Sequence, residues 1–255
     1  TDTLSSYELL LKGKVLHHKV QKDALLNALT TFDDAIKADE KNGQAYAWKA
    51  CALGQGLFRG YLEEDFNTVW KQAEDNLKKA RELNENDFEV HRLMSEVSLA
   101  MKDFRAAQRH SKICYEQVPN DPRVLSVYGE VCLRTGKVDE GLDAVKLALE
   151  IDPVAQGKTN ADPRHAAVIF GYYMARDKEG CLEQINNLEE IDFKSWLLTT
   201  KICRDEEHEF SNLDWFQEGK KLFSDKDFEK EVQDFRLNND SATETLISFA
   251  KELFS

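Results

Sequence analysis

The stretch PRVLSVYGEVCLRTGKVDEGLDAVKLALEIDP, Pro122 to Pro153, decides the reading of the whole chain. Leu125, Tyr128, Gly129 and Cys132 recur three and four residues apart, Thr135, Gly136 and Lys137 interrupt the pattern, and a second periodic run through Gly141, Ala148 and Leu149 follows. This reads as two amphipathic helices joined by a tight turn. Pro119 and Pro153 lie 34 residues apart, a period that belongs to arrays of helix pairs. Sliding the chain by 34 places Met94 on Tyr128, Ser95 on Gly129, Ala107 on Gly141, Cys114 on Ala148 and Tyr115 on Leu149. Small falls on small because paired helices approach closely only where one presents a short side chain.

Working outward, LxxAxxxFxxAI through Ala28, Phe32, Ala35 and Ile36 ends at Asp39, and Ala73, Leu77, Ala80 and Leu83 run to Asn84. Val168, Ile169, Tyr172, Cys181, Ile185, Leu188 and Ile191 keep the spacing in a degenerate fifth copy. With Gly129, Gly141, Ala148, Leu149, Ile151, Asp152 and Pro153 in the clearest copy, the chain resembles tetratricopeptide repeat proteins over residues 5 to 192. The resemblance implies an all-α, right-handed α-solenoid of about five helix pairs and a non-catalytic role in binding a protein or peptide segment. The opening YELLLKGKVL also resembles the tetratricopeptide region that follows the catalytic or DNA-binding domain of bacterial nucleotide cyclases and winged-helix regulators. That narrower similarity keeps a second reading open, a regulatory or dimerisation domain of a signalling enzyme. The chain begins at Thr1 without an initiator methionine, which reads as a piece of something longer.

Two departures mark the organisation. Extra residues between Ala45 and Ala73 predict lengthened helices or a long connection through Gly54, Gly56 and Gly60, and VAQGKTNA, Val154 to Ala161, predicts a surface loop. After Asp192 the period fades, so residues 1–192 form the expected array and residues 193–255 an acidic helical cap continuous with it. From residue 177 onward there are ten basic and twenty acidic residues. Ser241 with Glu244 suggests a capping box before a helix that buries Leu246, Ile247, Ala250, Leu253 and Phe254.

The net charge of −13 lacks the basic surface that nonspecific nucleic-acid binding requires. No apolar run is long enough to span a bilayer, and the last helix is not basic as a membrane-surface helix would be. The expected protein is therefore cytoplasmic, with no nucleic-acid or membrane partner. Five scattered cysteines give neither a disulfide framework nor structural zinc, and Cys114, Cys132 and Cys181 fall in core slots. No metal, cofactor or catalytic residue is expected. Gly54 to Gly60 lacks the spacing of a phosphate loop and reads as an inter-helix turn. His17 and His18 point about 100° apart on a helix and read as solvent or loop residues near a helix end. His91 and His165 fill packing slots, and Asp205 to Glu209 reads as a solvated acidic loop.

What remains is the side of each first helix that does not pack on its partner. At matching offsets it carries Trp48, then Arg92 and Glu96, then Ser126, Glu130 and Arg134, then Phe170 and Tyr173. In tetratricopeptide proteins this side lines a concave groove for peptides, so these eight residues form the expected partner-binding groove. Two other readings stand beside it. Arg92 with Glu96, and Glu130 with Arg134, have the spacing of simple intrahelical ion pairs, and Trp48, Phe170 and Tyr173 could be buried by neighbouring helices. The Lys and Asn slots of the clamp that binds acidic chaperone tails hold Ala47 and Cys51 here, with Leu93 next and Arg123 alone matching in charge. A chaperone tail is disfavoured as partner.

Overall fold

The computed structural model describes residues 5–255. Among these the chain forms fourteen α-helices and no strand. Successive helices pair as antiparallel hairpins: α1 (Ser6–His17) with α2 (Lys22–Ala38), α3 (Gly43–Phe58) with α4 (Phe66–Leu83), and α5 (Phe88–Ala100) followed by α6 (Phe104–Gln117). Then come α7 (Pro122–Arg134) with α8 (Val138–Ile151), α9 (Asp162–Ala175) with α10 (Lys178–Ile185), and α11 (Phe193–Asp205) with α12 (Asp214–Leu222). The short α13 (Phe228–Gln233) precedes α14 (Asp240–Leu253). Helix starts follow local chemistry, since Asn42, Asp65, Asp87, Asp121, Asp177 and Asp192 each accept backbone N–H bonds from the first turn they precede.

The chain divides into two compact units, Thr1–Met101 with Arg109–Pro119, and Lys102–Gln108 with Asn120–Ser255. The core of the first packs Leu25, Ala28, Phe32 and Ala35 of α2 with Ala45, Trp48 and Ala52 of α3 and Val90 and Leu93 of α5. The second has one continuous core from Leu133 and Val145 through Val168, Phe170, Trp196 and Phe216 to Leu246 and Leu253, so residues 193–255 pack as part of it.

The expected small-residue contacts are present. A Cβ placed on Gly129 would lie 2.7 Å from Val145 Cγ1 and 2.9 Å from the Gly141 carbonyl oxygen, while Ala107 and Ala148 are fully buried. Several details differ from the sequence reading. Gly54 and Gly56 lie inside α3, and the extra residues are shared between longer helices, sixteen residues in α3 and eighteen in α4, and a longer connection, in which Gly60 alone of the three glycines lies, at φ +65°. Gly56 is accommodated within the helix because Leu25 and Leu62 occupy the space a side chain would take. The start of α14 is not the expected capping box. There Asn239, two residues ahead of Ser241, accepts from the Ala242 N–H, and a capping box is found instead on α1, between Ser5 and Glu8.

Candidate partner-binding face

In the first unit, α1, α3 and α5 bring a mixed cluster around Trp48. The indole is 2% exposed. Lys14 Nζ lies 4.7 Å and the Arg92 guanidinium 5.5 Å from its ring centre, and the His17 ring meets it edge-on at 5.4 Å. His17, expected as a solvent or loop residue near a helix end, is the last residue of α1 and is instead buried, because its ring fills the space beside Trp48. Arg92 Nε donates to Glu89 at 3.1 Å and Nη1 to Glu96 at 2.6 Å, and Lys14 reaches Glu89 at 3.2 Å. Burial works against the charge of Arg92, but Glu96 and Glu89 outweigh it and raise the guanidinium above its ordinary range. Two cations and two carboxylates thus balance.

Five buried side-chain polar atoms among the described residues have no hydrogen-bond partner, and four belong to this part of the fold: His17 Nδ1, Trp48 Nε1, Gln55 Oε1 and Arg92 Nη2.

In the second unit, the matching sides of α7, α9 and α11 meet over Phe170, which is fully buried. The Arg134 guanidinium lies 4.6 Å and Lys194 Nζ 4.0 Å from the Phe170 ring centre. Arg134 Nη1 pairs with Glu130, while Nε and Nη2 donate to the carbonyl of Phe235 at 3.3 and 3.1 Å. The segment that follows α13 therefore lies on this face, with Phe235 and Leu237 buried and Arg236 in the left-handed region at φ 53°. Burial pushes Lys194 down to about 8, with Arg134 and Arg236 adding to the shift against the pull of Glu130 and Asp192. Burial works the other way on Glu130, yet Arg134 and Lys194 hold its carboxyl below the usual range. Beside the seated segment is a cavity of about 430 Å³ lined by Arg134, Tyr173, Met174, Leu237 and Asn238 among others. Ser126 donates to the Pro122 carbonyl at 2.8 Å and accepts from Arg164.

Of the eight expected groove residues, Trp48, Arg92, Arg134 and Phe170 are buried, and Glu96, Ser126, Glu130 and Tyr173 are half-buried. Trp48, Arg92 and Glu96 belong to the first unit and the other five to the second. Both expected intrahelical pairs form. The ring of Phe170 is closed off by the two cations and its neighbours, so it supports the face from beneath. Arg123, the one clamp-like position, folds back on Asp121 at 2.6 Å. Lys194, Phe235 and Arg236 were not legible in the sequence, because the repeat spacing that selects a helix face fades before them.

His91 is buried with Nδ1 at 2.8 Å from His110 Nδ1, and His165 meets Gln184 at 2.8 Å, so both fill packing positions. All five cysteines are free, and burial raises Cys51, Cys114, Cys132, Cys181 and Cys203 above the ordinary thiol range. Among the described residues, no group of three or more His, Cys, Asp or Glu is arranged to hold a metal ion, and no helix is long and apolar enough to cross a membrane.

No family model and no curated protein matches the chain. Solved structures do. Pseudomonas aeruginosa PilF is 14% identical, covering 91% of this chain and 98% of that one, at a TM-score of 0.60. A thermophilic TPR protein of Thermus thermophilus is 18% identical, covering 80% of this chain and 100% of that one, at a TM-score of 0.53. At these identities the likeness concerns the fold, and it agrees with the repeat read from Pro122 to Pro153: the chain has the α-solenoid fold of tetratricopeptide repeat proteins.

Proposed function

We propose that the protein is a non-catalytic interaction module that holds a partner protein segment on the side of its first helices that does not pack on their second helices. The residues are those selected by repeat offset, Trp48, Arg92, Glu96, Ser126, Glu130, Arg134, Phe170 and Tyr173, joined by Lys194. One observation carries the reading: Arg134 grips the main-chain carbonyl of Phe235, so this side of α7 already holds a piece of polypeptide in the manner of a ligand. A main-chain carbonyl is common to every peptide, and the adjoining cavity leaves Tyr173 available to a side chain. In the first unit buried Trp48 underlies Glu96, and in the second buried Phe170 underlies Glu130 and Tyr173; the more exposed residues meet the partner while the ion pairs set register.

The test is capture of partners from the source cell followed by titration of the purified pair. Tyr173→Ala is expected to weaken binding by at least about 1 kcal/mol, the loss typical of an interface aromatic. Lys178→Ala, on the second helix of that pair, is expected to change little. Full affinity in Tyr173→Ala and Glu96→Ala, together with loss of binding on changing Asp205 to Glu209, would place the partner on the outer surface instead.

A further inference from the structure

Outside that face, the first unit carries a second unusual surface where α3 turns into α4. Phe58 ends α3 and Phe66 begins α4, and they remain 53% and 50% exposed. They are not scattered. Phe66 stacks on Trp70 at 6.1 Å with 9° between the ring planes, and Phe58 meets both at 6.5 Å. Isolated exposed apolar residues are ordinary, but a three-ring cluster presenting two half-exposed phenylalanines is a contiguous patch of the kind that marks binding surfaces.

The surroundings specify the charge of what fits. Residues 58 to 75 contain five acidic residues, Glu63, Glu64, Asp65, Glu74 and Asp75, against Arg59 and Lys71. Lys71 is engaged by Asp75 at 3.7 Å. Asp65 caps α4 through the Thr68 N–H and hydroxyl, and Glu64 is fixed by Gln72 at 2.9 Å. Trp70 itself is buried, 9% exposed, and Glu74 accepts its indole N–H at 2.9 Å, which fixes the ring on which Phe66 stacks. The negative ring faces of Phe58 and Phe66, with Glu63, Glu64 and Asp65 directly ahead of Phe66 in the chain, complement a guanidinium or ammonium group.

We propose that Phe58 and Phe66, backed by Trp70 and with Glu63, Glu64 and Asp65 between them in the chain, form a docking surface for a basic segment of a partner protein, with an arginine or lysine side chain laid across the two exposed rings. A second copy of this chain is a poor occupant, since it would set the same carboxylates against themselves, and an anionic lipid surface is repelled for the same reason. The surface is independent of the face proposed above, so the two proposals stand or fall separately.

The test uses the full chain, labelled with ¹⁵N, and two end-capped peptides: alternating arginine and serine, and the same peptide with citrulline in place of arginine. The arginine peptide is expected to shift the Trp70 indole N–H resonance and the citrulline peptide to leave it in place. Phe58→Ala with Phe66→Ala, which leaves net charge unchanged, is expected to weaken the arginine peptide by about fivefold or more. Phe66→Leu keeps the apolar bulk and is expected to weaken it as well; unchanged circular dichroism and melting temperature establish that both variants fold. Full affinity in the double variant, or shifts that miss Trp70, would mean only diffuse attraction to an acidic protein and would overturn the proposal. A dimer that the double variant dissolves, with no effect on the peptide, would overturn it in favour of self-association.

Discussion

The guanidinium of Arg134, on the last turn of α7, donates from Nε and Nη2 to the carbonyl oxygen of Phe235, 101 residues further along the chain. The same guanidinium pairs with Glu130 and lies over Phe170, so one side chain joins the repeat helices to the segment after α13. Arg134→Gln is expected to destabilise the protein by about 2 to 4 kcal/mol, because it leaves the Phe235 carbonyl and the Glu130 carboxylate short of partners. Urea unfolding measures the total, and hydrogen exchange locates it. Amides from 235 to 239 should lose protection before those of α8, and uniform loss across the second unit would show that Arg134 does not specifically hold this segment.

Gly129 and Gly54 both sit inside helices, yet substitution is expected to act in opposite directions. A Cβ on Gly129 meets Val145 and the Gly141 backbone, whereas one on Gly54 has no neighbour within 4 Å. Gly129→Ala is expected to cost about 1 to 3 kcal/mol by forcing α7 and α8 apart. Gly54→Ala is expected to add about 0.5 to 1 kcal/mol by removing the conformational freedom of glycine in the unfolded chain. Denaturant midpoints that move in the same direction would contradict this account of the helix contact.

Removal of α14 is expected to expose the core rather than release an independent helix. Leu246, Phe249, Ala250 and Leu253 are buried, and Phe254 lies 4.9 Å from the Phe228 ring and 5.6 Å from that of Trp196. A chain ending at residue 239 should melt at lower temperature and bind hydrophobic dyes. An equally stable, monomeric product would show that this packing contributes little.

The repeat was legible because its cause is local: Gly129, Gly141 and Ala148 are small where helices touch, and that requirement recurs every 34 residues. The helix faces followed from the same period, which is why both ion pairs, Arg92 with Glu96 and Glu130 with Arg134, were legible. Which aromatic rings stay open was not. Trp48 and Phe170 lie on the helix side selected together with Tyr173, but covering groups such as Lys14, His17 and Lys194 come from other helices, and no spacing within one repeat encodes them. The docking of residues 235–237 was hidden for a related reason, since it depends on contacts between segments far apart in the chain.

His17 makes stability depend on pH in a window set by its burial. Desolvation, then His18, Arg92 and Arg59, push the imidazole down to about 4. In the unfolded chain an imidazole titrates near about 6.5. Between these values the unfolded chain takes up a proton that the folded chain refuses, so acid favours unfolding. The contribution is fully present above about pH 6.5 and is lost as pH falls toward about 4, amounting to roughly 3 kcal/mol over the window. From pH 7.5 to 5, the share specific to this residue is about 2 kcal/mol, before most carboxylates begin to titrate. His17→Gln should be less stable than the native chain at pH 7.5, having lost the edge contact with Trp48, but it should lose about 2 kcal/mol less on acidification. Urea unfolding of both proteins at the two pH values separates the contact from the titration. Parallel losses in the two proteins would mean that the imidazole is protonated in the folded state, and so that the cluster around Trp48 admits charge and water.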